Sequence, residues 1–314
     1  MQTAPFYAEA ADGPEGGLAD WVQAADGVKL RIGHWALKDG DCKGTVLLFP
    51  GRTEYIEKYG RAARDFAARG FAMAAIDWRG QGLADRLLPD RSLGHVGAFL
   101  DYQHDVAAML DYARAQNLPE PYYLVAHSMG GAIGLRALMD GLDVKAAAFS
   151  GPMWGIAMSR MMRPVAHAIA AVARPLGLAD ARAPMTDAEA YVLTADLDDN
   201  TLTRDADMIS YMRTHLEICP DLSLSGPTIH WVNQALGELR DLAAQKAPEL
   251  PCFCAMGTNE RIVDTTAIKL RMANWPDGAL KTYTGGEHEI MMEVPATRAD
   301  FFDRCAALFS QHSA

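Results

Sequence analysis

The sequence contains no uninterrupted apolar run of about 18 residues, which excludes a conventional membrane-spanning helix. Its start, Met1-Gln-Thr-Ala-Pro-Phe-Tyr-Ala-Glu9, has neither a basic opening nor an apolar stretch and is not read as a secretory signal. Cysteine is scarce and odd in number. Cys42, Cys219, Cys252, Cys254 and Cys305 show no metal-type spacing, and Cys252 and Cys254 fall on one face of a presumed strand. Such usage fits reduced, buried thiols in a cytoplasmic protein. Basic residues are outnumbered, 29 Lys and Arg against 40 Asp and Glu, for a net charge of −11. A surface of that sign repels phosphate backbones and argues against a nucleic-acid partner. No Walker-type loop, no Gly-x-Gly-x-x-Gly after a strand and no His-rich ligand spacing is present, so neither a nucleotide cofactor nor a metal is expected.

What is present describes an ordinary globular protein, with 50% apolar and 22% charged residues over 314 positions. Short, near-continuous apolar runs at 45–49, 71–76, 122–126, 146–149, 251–256 and 280–283 predict buried strands. Between them, apolar residues step by three and four, as Phe99, Tyr102, Val106, Met109 and Ala113 do, predicting helices at 56–69, 98–116, 129–139, 265–273 and 297–308. This alternation implies a mostly parallel sheet with helices on both faces. Residues 28–37 alternate instead, as in an antiparallel edge hairpin. From 153 to 245 no strand pattern appears, only helical and irregular sequence, with methionines at 153, 158, 161 and 162 and aspartates at 196, 198 and 199. That stretch reads as a helical lid inserted into a single domain spanning 1–314.

The strongest chemical signal is Tyr122-Tyr-Leu-Val-Ala-His-Ser128-Met-Gly-Gly131. An apolar strand runs into a serine, then small residues, then a helical stretch. A serine on such a sharp strand-to-helix turn is exposed at the carboxyl end of the sheet, and only small residues fit two positions either side. Ala126 and Gly130 occupy those places, alanine standing where glycine is usual. The helix that follows aims its amino end at an oxyanion formed on the serine.

Six stretches in order carry a resemblance: Phe49-Pro-Gly-Arg-Thr-Glu54 with Lys58-Tyr59, Asp77-Trp-Arg-Gly-Gln-Gly82, Gly94-His-Val96, Ala126-His-Ser-Met-Gly-Gly131, Gly257-Thr-Asn-Glu-Arg-Ile-Val-Asp264 and Gly286-Glu-His-Glu-Ile290. Together they resemble α/β-hydrolases of the lysophospholipase and monoacylglycerol lipase branch, and the Pro-Gly-Arg and Gly-His-Val variants resemble the bacterial lysophospholipases. The resemblance implies an α/β-hydrolase fold and an esterase in which Ser128 is the nucleophile.

A serine needs a base, and chain order in this fold places histidine last. Of nine histidines, His288 and His312 follow the acid loop, and His312 lies in the tail, so His288 is the expected base. The resemblance places the acid at Glu260, where family members usually carry aspartate. Asp264 is the rival, although a helix N-cap explains it without catalysis. Glu287 and Glu289 flank the base, and sequence neighbours of a residue seldom point toward its ring. The oxyanion hole is expected from the backbone N–H groups of Arg52 and Met129, which leaves the Arg52 side chain either to bind a phosphate or glycerol group or to lie in solvent. His127, His95 and the loop at Asp77 read as structural.

The expected activity is cleavage of an acyl ester of a lysophospholipid or monoacylglycerol. The alternatives are a small-ester carboxylesterase, an acyltransferase using the same residues and a non-catalytic binding protein. The expected partners are a lipid-like ester and, transiently through the methionine-rich lid, a membrane surface.

Overall fold

The computed structural model describes residues 1–37, 42–158, 169, 172–197 and 199–313. Met161, Met162 and Asp198 lie outside the described residues. Nine strands form one sheet in the order β1-β2-β3-β5-β4-β6-β7-β8-β9. They are β1 (Gln2–Thr3), β2 (Leu18–Gln23), β3 (Lys29–Trp35), β4 (Thr45–Phe49), β5 (Ala72–Asp77), β6 (Tyr122–His127), β7 (Ala147–Ser150), β8 (Cys252–Gly257) and β9 (Gly278–Tyr283). From β5 through β4 to β9 the pairing is parallel, and β1 to β3 join antiparallel at one side.

The inner strands are continuously apolar because both faces of the sheet are covered there, whereas β9, expected as a buried strand at 280–283, is the sheet's edge strand and is largely exposed, Leu280 included. Along β4, Leu47 and Phe49 enter a core with Trp78, Met109 and Ile133. Val46 and Leu48 enter the opposite core with Phe66, Phe71 and Phe309. Helices Tyr102–Ala115 (α3), Ser128–Met139 (α4), Ile229–Ala243 (α7) and Thr265–Ala273 (α8) supply residues to the first core. Gly60–Ala67 (α2) and Pro295–Gln311 (α9) supply the second. Further helices are Ala8–Ala11 (α1), Tyr191–Thr194 (α5) and Ala206–Ile218 (α6). Cys252 and Cys254 do share a face, and all five cysteines are free.

One expectation needs correcting. The alternating segment at 28–37 is a single strand, β3, paired with β2 on one side and β5 on the other, so it is not at the sheet edge. Its polar positions are buried in turn: Arg31 holds Glu57 and Asp77, each at 2.7 Å. Alternation recorded which residues face which side, but here both sides are interior. Between β7 and β8, the described residues contain helices and irregular backbone and no strand.

Candidate active site

Parallel strands bring their carboxyl ends to one edge of the sheet, where the following loops meet. Ser128 follows β6, Arg52 follows β4, Glu260 follows β8 and His288 follows β9. Ser128 opens α4 with φ +48°, in the left-handed region that side chains rarely adopt. The N-cap of α4 is His127, so Ser128 is not the capping residue. Gly130 makes the bend feasible, because a Cβ there would lie 2.1 Å from the Phe49 carbonyl oxygen and 2.5 Å from that of Pro50. Ala126 buries its methyl group in the core.

His288 Nδ1 lies 2.7 Å from Glu260 Oε2. The other oxygen, Oε1, accepts the N–H groups of Ile262 (2.7 Å) and Val263 (3.1 Å), which fix the carboxylate in one orientation. Burial raises the Glu260 pKa, but His288 and these backbone donors outweigh it and hold the carboxyl below its ordinary range. Burial likewise disfavours charge on His288, yet Glu260, and then Glu289 and Glu54, lift its pKa above the ordinary imidazole value. Asp264 caps α8 instead, accepting from the N–H groups of Thr266 and Ala267. Gly151 went unnoticed in the sequence. It has φ +49°, and a Cβ there would lie 3.1 Å from His288 Nδ1 and 3.3 Å from Glu260 Oε2. The absent side chain lets the pair pack against the end of β7.

The loop after β4 passes beside the nucleophile, so that a Cβ on Gly51 would sit 3.0 Å from Ser128 Cβ. The Asp77 loop braces it: Trp78 Nε1 donates to Pro50 O at 2.9 Å and Gln81 Nε2 to Gly51 O at 2.8 Å. Met129 is the second residue of α4, within the turn whose N–H groups have no intrahelical partner.

A buried polar cluster at this site was only half visible in the sequence. Lys58 Nζ lies 2.5 Å from both Glu54 Oε1 and Glu289 Oε1. Glu54 also accepts from the Gly51 N–H and from the Tyr59 hydroxyl. His127 lies beside this group, its Nε2 3.5 Å from Glu54 and from Glu289 without a hydrogen bond, while its Nδ1 donates to the Ser150 carbonyl oxygen at 2.8 Å. The His127 ring centroid is 4.7 Å from that of His288. Burial disfavours the Glu54 carboxylate, but Lys58 and His127 prevail and bring its pKa down to about 2. Glu54, His127 and Glu289 place ligand atoms within 4.8 Å of one another, a spacing that could hold a cation, and the Lys58 ammonium already serves that purpose. Glu54 and Lys58 both fall within the first motif of the resemblance, but Glu54 lies in irregular backbone before the short helical turn Ile56–Tyr59, so helical spacing did not announce their contact. Glu289 carried no such signal either; its carboxylate turns to Lys58 and His127, with no hydrogen bond to the His288 ring.

Ser128, Arg52 and His288 line one cavity of about 520 Å³. Much of its wall comes from the region between β7 and β8, including Met153, Ile156, Met158 and Leu224.

The chain is 32% identical over 285 residues to lysophospholipase L2 of Escherichia coli strain K12, covering 85% of this chain and 81% of that protein. It is 26% identical to monoacylglycerol lipase of Mycolicibacterium smegmatis, covering 85% and 88%. Among solved structures, a soluble variant of monoglyceride lipase from Saccharomyces cerevisiae superposes with a TM-score of 0.72 at 21% identity, over 94% of this chain and 95% of that one. A family model described as serine aminopeptidase, S33, matches residues 40–295. The elbow at Ser128, the parallel sheet that carries it and this match lead to one conclusion: the chain belongs to the serine aminopeptidase S33 family and is an α/β-hydrolase.

Proposed function

We propose that this chain is a serine hydrolase that cleaves one acyl ester of a lysophospholipid or monoacylglycerol. The observation that carries the reading is the Glu260–His288 hydrogen bond, with His288 lining the same cavity as Ser128. In the reaction, Ser128 Oγ attacks the ester carbonyl as His288 accepts its proton. Glu260 holds the ring and balances the imidazolium charge, and the N–H groups of Arg52 and Met129 stabilise the oxyanion. His288 then protonates the leaving alcohol, and a water activated by the same ring releases the fatty acid.

The curated relatives named above support an ester substrate, and the apolar wall supports a long acyl group. Each buried methylene contributes about 0.8 kcal/mol, so a chain gripped along its length is favoured strongly over a two-carbon one. The family description raises a peptidase reading, but an aminopeptidase needs a carboxylate free to hold an α-ammonium group. Of the cavity carboxylates, Glu54 and Glu289, on the Ser128 side, already share Lys58, and Asp187 lies on an exposed stretch of the wall. Residues 153–245 act in this reading as a lid. Leu176, Leu178, Met185 and Leu193 leave it exposed, and Met185 is 91% exposed, which suits transient contact with a lipid surface from the cytoplasmic side.

A chain-length series of lysophospholipids, monoacylglycerols and simple esters tests the proposal, with Ser128→Ala alongside. Long-chain lysolipids or monoacylglycerols should be turned over, and Ser128→Ala should abolish both turnover and fluorophosphonate labelling. A wild-type protein that takes no label, or that prefers two-carbon over twelve-carbon esters, would overturn it.

A further inference from the structure

Among the described residues, two arginines are fully buried, and both are paired with carboxylates. Arg31 holds the carboxylates of Glu57 and Asp77, and Arg79 those of Asp26 and Asp105. Half-buried Arg86 has no carboxylate but donates to five backbone carbonyls, only its Nε lacking a partner. Arg52 donates to one, the Ser225 carbonyl, at 2.8 Å. Among the described residues no carboxylate pairs with its guanidinium, which lies 5.9 Å from the Trp231 ring centroid and lines the cavity that Ser128 lines. Its seat is built. A Cβ on Gly94 would lie 3.2 Å from Arg52 Nη1, and Gly94 is bridged to Pro227 and bonded to Gly226 and Thr228, beside the Ser225 that receives the guanidinium. A half-buried cation with donors left over, held in the wall of a substrate cavity, is a preformed receptor for an anion.

We propose that the Arg52 side chain binds the phosphoryl group of the substrate headgroup, so that phosphoryl-bearing lysolipids are preferred over neutral monoacylglycerols. This deepens the serine-hydrolase reading and rests on it. Connectivity agrees with the assignment. About five bonds separate the ester oxygen of a glycerol lysolipid from its phosphorus, and about five separate an arginine Cα from its guanidinium carbon. A residue whose N–H holds the ester oxyanion therefore carries its charge about as far away as the phosphoryl group lies. Burial, the largest influence on this guanidinium, lowers its pKa to about 10, so it is still protonated at neutral pH and gains most from an anion.

The test compares two substrates with one acyl chain, a lysophosphatidate and the matching monoacylglycerol, in wild type, Arg52→Met and Arg52→Lys. A charge-assisted pair accounts for roughly 10- to 100-fold. The kcat/KM ratio of phosphoryl to neutral ester should therefore exceed one in wild type, fall by that factor in Arg52→Met and fall less in Arg52→Lys. Glycerol 3-phosphate should protect Ser128 from fluorophosphonate in wild type but not in Arg52→Met. Inorganic phosphate, run in parallel, should protect less if the glycerol backbone contributes to recognition. Equal losses on both substrates, marking a purely structural arginine, or a wild-type ratio of one would overturn the inference. A wild-type protein that hydrolyses neither ester and takes no label would instead overturn the hydrolase reading beneath it.

Discussion

Lys58 and Glu289 are 231 residues apart in sequence and 2.5 Å apart in the fold. Through Glu54, which accepts from the Gly51 N–H, this contact ties the loop beside the nucleophile to the loop that carries His288. Lys58→Met leaves two carboxylates buried together without a cation. Breaking a buried pair in this way costs about 3–5 kcal/mol. Thermal unfolding should therefore show a large drop in Tm, and the triple variant with Glu54→Gln and Glu289→Gln should recover part of it. Recovery of stability without recovery of kcat would separate loop positioning from folding.

Glu260 and Asp264 call for opposite outcomes. Glu260→Gln removes the carboxylate that orients His288, and loss of such an acid slows turnover by roughly 10³–10⁴-fold. Asp264→Asn keeps a capping side chain on α8, so kcat/KM should stay within a few-fold of wild type with little change in stability. Steady-state kinetics on a soluble ester distinguishes the two.

The pH profile carries a sign. A general base must be neutral, and the His288 pKa lies above the ordinary imidazole value of about 6.5 because nearby carboxylates outweigh the burial that opposes its charge. The acid limb of kcat/KM should consequently fall off above pH 6.5 rather than below it. In Glu260→Gln, whatever activity survives should show that limb moved to lower pH. A limb that does not move would remove Glu260 from the account.

Acid stability follows from Glu54. Burial alone would raise its pKa, but Lys58 and His127 bring it from 4.5 down to about 2. A carboxylate depressed in the folded state contributes stability that is present above its unfolded pKa and lost as pH falls through the folded one. The loss should run from about pH 4.5 toward pH 2 and amount to on the order of 3 kcal/mol. Denaturant midpoints across this range should drop in wild type and change less in Lys58→Met, where the depressing cation is gone.

Gly151→Ala tests the close approach at the base. Its Cβ would lie 2.9 Å from the His288 carbonyl oxygen at a backbone φ of +49°. Strain of this kind costs about 1–3 kcal/mol, and kcat should fall more than KM rises because the displaced group is the base rather than the cavity wall.

Much of this protein is local and could be read along the chain. The strands β4 and β6 and the helix α8 lie where apolar runs and three-and-four spacing placed them, because period and burial are set by neighbours in sequence. Ser128 was legible for the same reason: strand, small residues and helix are contiguous, and the strained turn they form is a short-range event. Chain order narrowed the base to His288 and His312, and the place of His312 in the tail left His288. What tertiary structure decided were the contacts between loops from different strands. These include the pairing of His288 with Glu260 rather than Asp264, the gap left for that pair by Gly151, the ammonium of Lys58 between Glu54 and Glu289, and the placement of β3 inside the sheet. Charge and polarity in a sequence say that a residue needs a partner. Which partner it meets depends on how parallel strands bring their ends together, and no local pattern encodes that.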